Sequence, residues 1–261
     1  MKAPGKKRSP ARAEPRRAQT RARAEARARP ASERVRGEWL RRVEAEYRSA
    51  AVTQHLVLWL LQLGASPDLV SAGLRIVRDE LAHASMSHRA FVAAGGRGGP
   101  RLARESLELP RTPGEPLEND VARACVDVFC LGETVAVRLF KELRERARVP
   151  AARRVLDRVL RDEVRHRDFG WTLLEWLLAQ PGGAGARMRE LVAGELPGAF
   201  ERVRALYAPP DAQGESTLGP GDSSWGLMPA ARYGELLRMT LERDYVPRFS
   251  RLGIDARAAW G

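Results

Sequence analysis

Long segments in which apolar and polar residues interleave alternate along this chain with short clusters of Gly and Pro, and that punctuation predicts helices. The first segment runs from after Ser32 to Leu63, and Gly64 suits the position just past a helix end. Ser66-Pro67-Asp68 reads as a cap, a proline at the first helical position and an acid in the first turn. The second segment continues to about Ala94, where Gly95-Gly96 stops it. A stretch rich in Gly, Pro and Arg, from Gly95 to Leu117, separates it from a third helix over about Asn119–Ala147. Val149-Pro150 breaks the pattern, and a fourth helix runs from about Pro150 to Gln180 before Pro181-Gly182-Gly183. Further helices are expected over residues 185–207 and 229–252, with a Pro/Gly/Ser loop from Ala208 to Trp225 between them. Pro247 should bend or break the last one.

Short links join the first helix to the second and the third to the fourth, which forces antiparallel neighbours. The link between the two hairpins is long. At about 3.3 Å per residue it reaches roughly 70 Å, more than the about 42 Å of a helix of some 28 residues. The expected architecture is all-α: two antiparallel hairpins joined by one long crossover, over residues 32–181. A helical extension, 182–261, would pack on that bundle, either covering an apolar flank or walling off a pocket.

Charge divides the chain differently. The net charge is +12, but residues 1–40 hold 13 Lys/Arg against 4 Asp/Glu, so most of the surplus sits at one end. Residues 1–31 are rich in Ala, Arg and Pro with almost no large apolar side chain, and read as a tail too polar to bury a core. Such a tail also suits electrostatic contact with nucleic acid. The longest apolar run, Leu56 to Leu61, is far short of a membrane span. The two cysteines, Cys125 and Cys130, would lie about 140° apart on an α-helix, which disfavours a disulfide and fits a reducing, cytoplasmic setting.

The chemistry lies in two copies of one motif, Asp79-Glu80-Leu81-Ala82-His83 and Asp162-Glu163-Val164-Arg165-His166. Residues three apart share a helix face, so each copy aims a carboxylate and an imidazole the same way, half of a first-row metal site. With 4 His and 22 Glu in the chain, about 0.3 Glu-x-x-His pairs are expected by chance. Matching heights along the hairpins supplies two more ligands. Glu46 on the first helix lies level with Glu80, and Glu133 on the third lies level with Glu163. Glu133 is the only acid between Asp127 and Glu142, and a carboxylate in so apolar a stretch is costly unless paired or ligated. Glu44 competes with Glu46 but sits about 200° round the helix, so only one of them faces inward; the small residues Ser49, Ala50 and Thr53 favour Glu46.

The expected metal ligands are therefore Glu46, Glu80, His83, Glu133, Glu163 and His166. Asp79 and Asp162 would each accept the free N–H of a ligand His on the facing helix. Ser49, Thr53, Phe129, Cys130 and Val137 are the candidate lining of an adjacent pocket, although Phe129 reads first as core packing and Cys130 as a small core residue. Gly73, Ala84 and Gly170 are expected to leave room beside the metals.

The set Glu46, Asp79-Glu80-x-x-His83, Glu133, Asp162-Glu163-x-Arg165-His166 resembles the metal-binding signature of the ferritin-like di-iron carboxylate superfamily. The phrases Leu61-Gln62-Leu63-Gly64-Ala65 and Cys130-Leu131-Gly132-Glu133-Thr134 look like those of bacterial ferritin-like proteins. The likeness covers about residues 39–180 and departs at Ala82, where the second motif has an Arg. It implies a ferritin-like four-helix bundle with two additional C-terminal helices. It also implies two Fe ions, with Mn or a mixed Mn/Fe pair as the alternative, and oxidation of a small-molecule substrate by O2 or peroxide with an external electron donor. Other activities on such a bundle are hydroxylation of a tRNA base and iron handling or peroxide scavenging. An oligomer is compatible with all of these.

Overall fold

The computed structural model describes residues 31–208, 218–219 and 221–261; the expected basic tail and most of the loop before Trp225 lie outside them. The described residues are helical, with no strand among them. Helix α1 is Glu33–Gln62, α2 is Pro67–Ala93, and α3 is a continuous rod of three segments, Leu117–Ala124, Cys125–Glu133 and Thr134–Arg146. Helix α4 is Pro150–Leu178 and α5 is Ala184–Tyr207. Helix α6 joins Ala230–Thr240, Leu241–Tyr245 and Val246–Arg251, and a short α7, Ala256–Trp260, closes the chain. The sequence reading did not anticipate α7.

Local chemistry sets these boundaries. The Ser32 hydroxyl accepts from the Val35 N–H at 3.1 Å, and the Ser66 hydroxyl accepts from Leu69 at 3.4 Å, each satisfying a donor that has no partner inside its helix. Gly64 takes φ +69°, the left-handed turn that ends α1. No side chain caps α4. Instead the backbone N–H groups of Arg148 and Val149 both donate to the Ser224 carbonyl, at 2.8 and 2.9 Å. The turn Asp222–Trp225 therefore closes the α3–α4 hairpin, and it also holds α1, since the Ser32 hydroxyl donates to Asp222 at 2.8 Å.

Helix α1 packs on α2, α2 on α4, and α4 on α3. The connection between α2 and α3 starts beside the beginning of α1, where Ala31 donates to the Ala94 carbonyl at 3.2 Å. It ends near the far end of α1, where Arg111 lies over Trp59, so it returns along the length of that helix. Asp120 fastens its end by accepting from the Thr112 backbone and hydroxyl and pairing with Arg111 and Arg123. Helix α1 meets α3 at the first segment of α3. Farther along, a cavity opens between the two and α5 lies over it.

The middle segment of α3, Cys125–Glu133, is a π-helix, with each N–H reaching back five residues instead of four. That register places Cys125 and Cys130 one above the other, their sulfurs 3.9 Å apart, where an α-helix would part them; both remain free thiols. A second π segment, Leu241–Tyr245, ends two residues before Pro247. It opens the hydrogen-bond ladder where the proline lacks an N–H, so α6 runs on through Pro247 instead of breaking there. The two irregular segments touch: the buried Tyr245 hydroxyl donates to the Leu131 carbonyl at 2.7 Å.

Gly170 and Gly73 do not leave space by the candidate ligands; they let helices approach. A Cβ on Gly73 would lie 2.6 Å from Val57, and one on Gly170 would lie 2.4 Å from the Phe129 Cβ and 2.9 Å from the Phe129 backbone. The Gly170→Ala variant is therefore expected to lose about 1–3 kcal/mol of stability by pushing α4 off the π segment. Urea denaturation measures this, and a change under about 0.5 kcal/mol would show that the contact has slack.

Candidate metal centre

The four long helices each place one acidic position at the same depth, and the structure brings all six expected ligands into one buried cluster. Glu46 comes from α1, Glu80 and His83 from α2, Glu133 from the end of the π segment, and Glu163 and His166 from α4. The two imidazoles are fully buried, and none of the four carboxylates is more than 7% exposed. Glu44, the competitor of Glu46, is only half-buried and stands outside the cluster.

The donors form two overlapping groups. Glu46, Glu80, His83 and Glu163 offer ligand atoms within 4.8 Å of one another, and so do Glu80, Glu133, Glu163 and His166. Glu80 and Glu163 belong to both, as carboxylates bridging two ions would. His83 Nδ1 stands 3.5 Å from Glu46, 3.6 Å from Glu80 and 4.0 Å from Glu163. His166 Nδ1 stands 3.1 Å from Glu80 and 3.8 Å from Glu163. Both rings thus turn the same nitrogen inward, with centroids 5.8 Å apart. Buried polar atoms are normally hydrogen-bonded. Here Glu80 Oε2, Glu163 Oε2, His83 Nδ1 and His166 Nδ1 are buried without a hydrogen-bond partner among the described residues. Oxygen and imidazole donors left open and converging at these separations fit a divalent ion in each group.

The outward nitrogens meet the paired motif. His83 Nε2 lies 3.0 Å from Asp162 on the facing helix, a hydrogen bond as expected; His166 Nε2 lies 3.6 Å from Asp79, too far for one, and is buried without a hydrogen-bond partner among the described residues. Two arginines on α4 bind both aspartates. Arg165 donates to Asp79 at 3.0 Å and to Asp162 at 2.6 Å. Arg158 donates to Asp79 at 3.1 Å and also bonds Asp162. Arg158 thereby supplies the cation that the first motif lacks at Ala82. Its sequence signal was its place four residues before Asp162, one helical turn. The bond to Asp162 fixes the orientation of the His83 ring and keeps its Nδ1 directed at the cluster.

Without an ion, so many acids cannot share the space fully charged. Burial pushes Glu46 up to about 8 against the pull of His83. Burial and the Glu133 charge hold Glu163 well above the usual carboxylate range, and burial raises Glu133. Burial opposes the charge of Glu80 too, but the facing His166 and His83 imidazoles outweigh it and hold that carboxyl low. Burial disfavours both imidazolium forms, yet Glu46 and Glu80 raise His83 to about 11 and Glu80 raises His166. Protons occupy the positions that cations would take.

A cavity of about 450 Å³ opens onto the cluster, with Glu46, Glu80, Glu133 and Glu163 in its wall. Of the expected pocket residues, Ser49 lines it, whereas Thr53, Phe129, Cys130 and Val137 do not. The reason on α3 is the π register: one turn before Glu133 the cavity wall is Val128, while Phe129 turns into the core against Phe169 and Cys130 stacks on Cys125. Thr53 is fully buried behind the wall, and Val137 is half-buried away from it. Helix α5 covers the opening with Val203, Leu206 and Tyr207, none of which sequence reasoning singled out. Burial and the nearby Glu133 charge raise the Tyr207 phenol well above its ordinary value.

No helix among the described residues is long and apolar enough to cross a membrane. Neither a protein-family model, nor a curated protein, nor a solved structure matches the chain.

Proposed function

We propose that the chain is a ferritin-like di-iron carboxylate oxidoreductase that uses O2 or peroxide to oxidise a small molecule held in the cavity beside Glu46 and Glu133. The observation that carries this reading is the sharing of Glu80 and Glu163 between two donor groups that face a cavity. Glu46, His83 and the two shared carboxylates would hold one ion; Glu133, His166 and the same two carboxylates would hold the other. Four hard carboxylates with two imidazoles suit Fe, or Mn in its place, over Cu. The hairpin pairing and the long return along α1 agree with a ferritin-like bundle. Iron held by these residues would supply redox chemistry toward O2 or peroxide, with the substrate or an external donor as the source of electrons.

The chain's own groups account for the rest. The hydrogen bond to Asp162 holds the His83 imidazole in one orientation. Val128, Ala136, Phe140 and Val203 give the cavity an apolar wall that limits water near the reacting atoms.

Loading the full chain anaerobically with Fe(II) and then adding O2 tests this. The expected result is O2 consumption at least tenfold faster than by the same Fe(II) free in buffer, followed with an oxygen electrode. Wild-type protein that binds iron yet consumes O2 no faster than buffer would remove the oxidoreductase reading.

A further inference from the structure

The side of the bundle turned away from the cavity is basic. On α2, Arg75 and Arg78 stand three residues apart, and on α4, Arg154, Arg158, Arg161 and Arg165 recur every three or four, so each helix carries one row. The rows adjoin. Arg75, Asp79 and Arg165 line one depression between the two helices, and Arg158 and Arg165 both donate to Asp79 on α2. Against these arginines stand Asp68, Asp79 and Asp162; Asp157 and Asp168 at the margin pair with Arg144 and Arg167. Arg75, Arg78, Arg154 and Arg161 are exposed and have no ion-pair partner among the described residues.

This face is also connected to the cluster. The Arg158 and Arg165 side chains are each 40% exposed, so solvent and a partner reach them directly. Arg165 donates to Asp162 at 2.6 Å, Asp162 lies 3.0 Å from His83 Nε2, and His83 Nδ1 faces Glu46 and Glu80. A line of hydrogen bonds therefore runs from an accessible guanidinium to an inward-facing imidazole. The cavity lies between α1 and α3 under α5, so a partner seated on α2 and α4 leaves it free for substrate. Unpaired surface cations steer an acidic partner to its place and speed its arrival more than they tighten its hold, which suits a carrier that must dock and leave. A nucleic acid would meet the same charge, but a base bound there would have the bundle between it and the cavity.

We propose that the basic α2–α4 face docks an acidic electron-carrier protein, whose electrons reach the cluster along the line from Arg165 through Asp162 to His83. This names the class of electron donor for the oxidation proposed above and rests on that reading. Each docking passes one electron: the reduced carrier leaves oxidised, one metal ion held by the six ligands is reduced, and no bond is made or broken.

Interferometric binding of the full chain to an acidic [2Fe–2S] ferredoxin tests the surface, with a basic cytochrome c and a tRNA as comparisons and metal content measured on the same samples. Ferredoxin is expected to bind at about 50 mM salt, roughly tenfold more weakly at about 300 mM, and more tightly than cytochrome c at either. Changing Arg75, Arg78, Arg154 and Arg161 together to Gln should weaken ferredoxin binding about tenfold or more. The same change at Arg187, Arg238, Arg243 and Arg251, exposed and without ion-pair partners among the described residues on α5 and α6, removes equal charge and should cost less than about threefold. Stopped-flow absorbance then follows oxidation of reduced ferredoxin by the metal-loaded chain, which should slow about tenfold in the α2–α4 variant alone, while reduction of that variant by dithionite is unchanged. Equal losses in both variants, no ferredoxin binding by the wild-type chain, cytochrome c binding as tight as ferredoxin, or an unchanged rate of ferredoxin oxidation overturns the proposal. So does an α2–α4 variant that loses tRNA and keeps ferredoxin, which would assign the face to nucleic acid. Any of these beside full metal content and rapid O2 consumption leaves the oxidoreductase reading standing. Ferredoxin binding that depends on this face in a chain that takes up no metal strikes the oxidoreductase reading and not the docking surface.

Discussion

Purified, reconstituted Glu80→Ala or Glu163→Ala protein is expected to hold less than about 0.5 metal ion per chain, against about two for the unaltered chain, while Glu46→Ala and Glu133→Ala each keep about one. The asymmetry follows from the sharing. Glu80 and Glu163 stand in both donor groups, whereas Glu46 and Glu133 each stand in one. Removing a shared carboxylate takes one oxygen donor from each ion and also the charge that holds two cations close together. At a separation of about 4 Å, two like charges in a buried site repel by several kcal/mol even at a generous effective dielectric. Removing an unshared carboxylate leaves one complete group. Elemental analysis reads the number directly, and circular dichroism on the same samples checks the fold. If all four variants lose metal alike, the two-ion arrangement with bridging Glu80 and Glu163 is wrong, even if some metal binds.

Much of this site was legible because it obeys regular α-helix geometry. Glu80 and His83 share a face by their spacing, and Glu46 can be found by counting back from Gly64 to the height of Glu80. Ser32, Ser66 and Gly64 mark helix ends through local hydrogen bonds and a left-handed turn, both of which depend on a few adjacent residues. What escaped depends on departures from that geometry or on distant partners. The π register of Cys125–Glu133 turned Phe129 and Cys130 away from the cavity. Apart from Asp127 and Glu133 its residues are apolar or small, so no change of periodicity announces it. The placement of Tyr207 over the cavity depends on how α5 folds back, which spacing within α5 cannot give.

The protonation of the empty cluster gives the second large effect: metal-free protein should become less stable as pH rises from about 6 to 9, while metal-loaded protein should not. Glu46 titrates near 8 in the folded chain against an ordinary 4.5, and His83 near 11 against 6.5. Glu163, Glu133 and His166 are displaced upward as well. Across this window the folded chain therefore binds more protons than the unfolded one, and stability falls with pH. The Glu46 contribution is whole below about 4.5 and is lost on passing about 8; that of His83 is whole below 6.5 and is lost on passing about 11. Glu80, held low, works in the opposite sense, but its window lies below 4.5 and does not offset the trend. Together Glu46 and His83 lose roughly 6 kcal/mol between pH 6 and 9, which lowers the melting temperature by about 12–24 °C in a chain of this size. Two divalent ions replace those protons with equal charge, since four carboxylates are offset either by four protons or by two such ions. Loading at pH 7 should accordingly release about four protons per chain, and calorimetry in buffers of differing ionisation enthalpy counts them. A melting temperature of metal-free protein that stays flat or climbs between pH 6 and 9 would mean that the carboxylates are hydrated and spread apart. The cluster would then not be the preformed, charge-starved site from which its affinity for cations is argued.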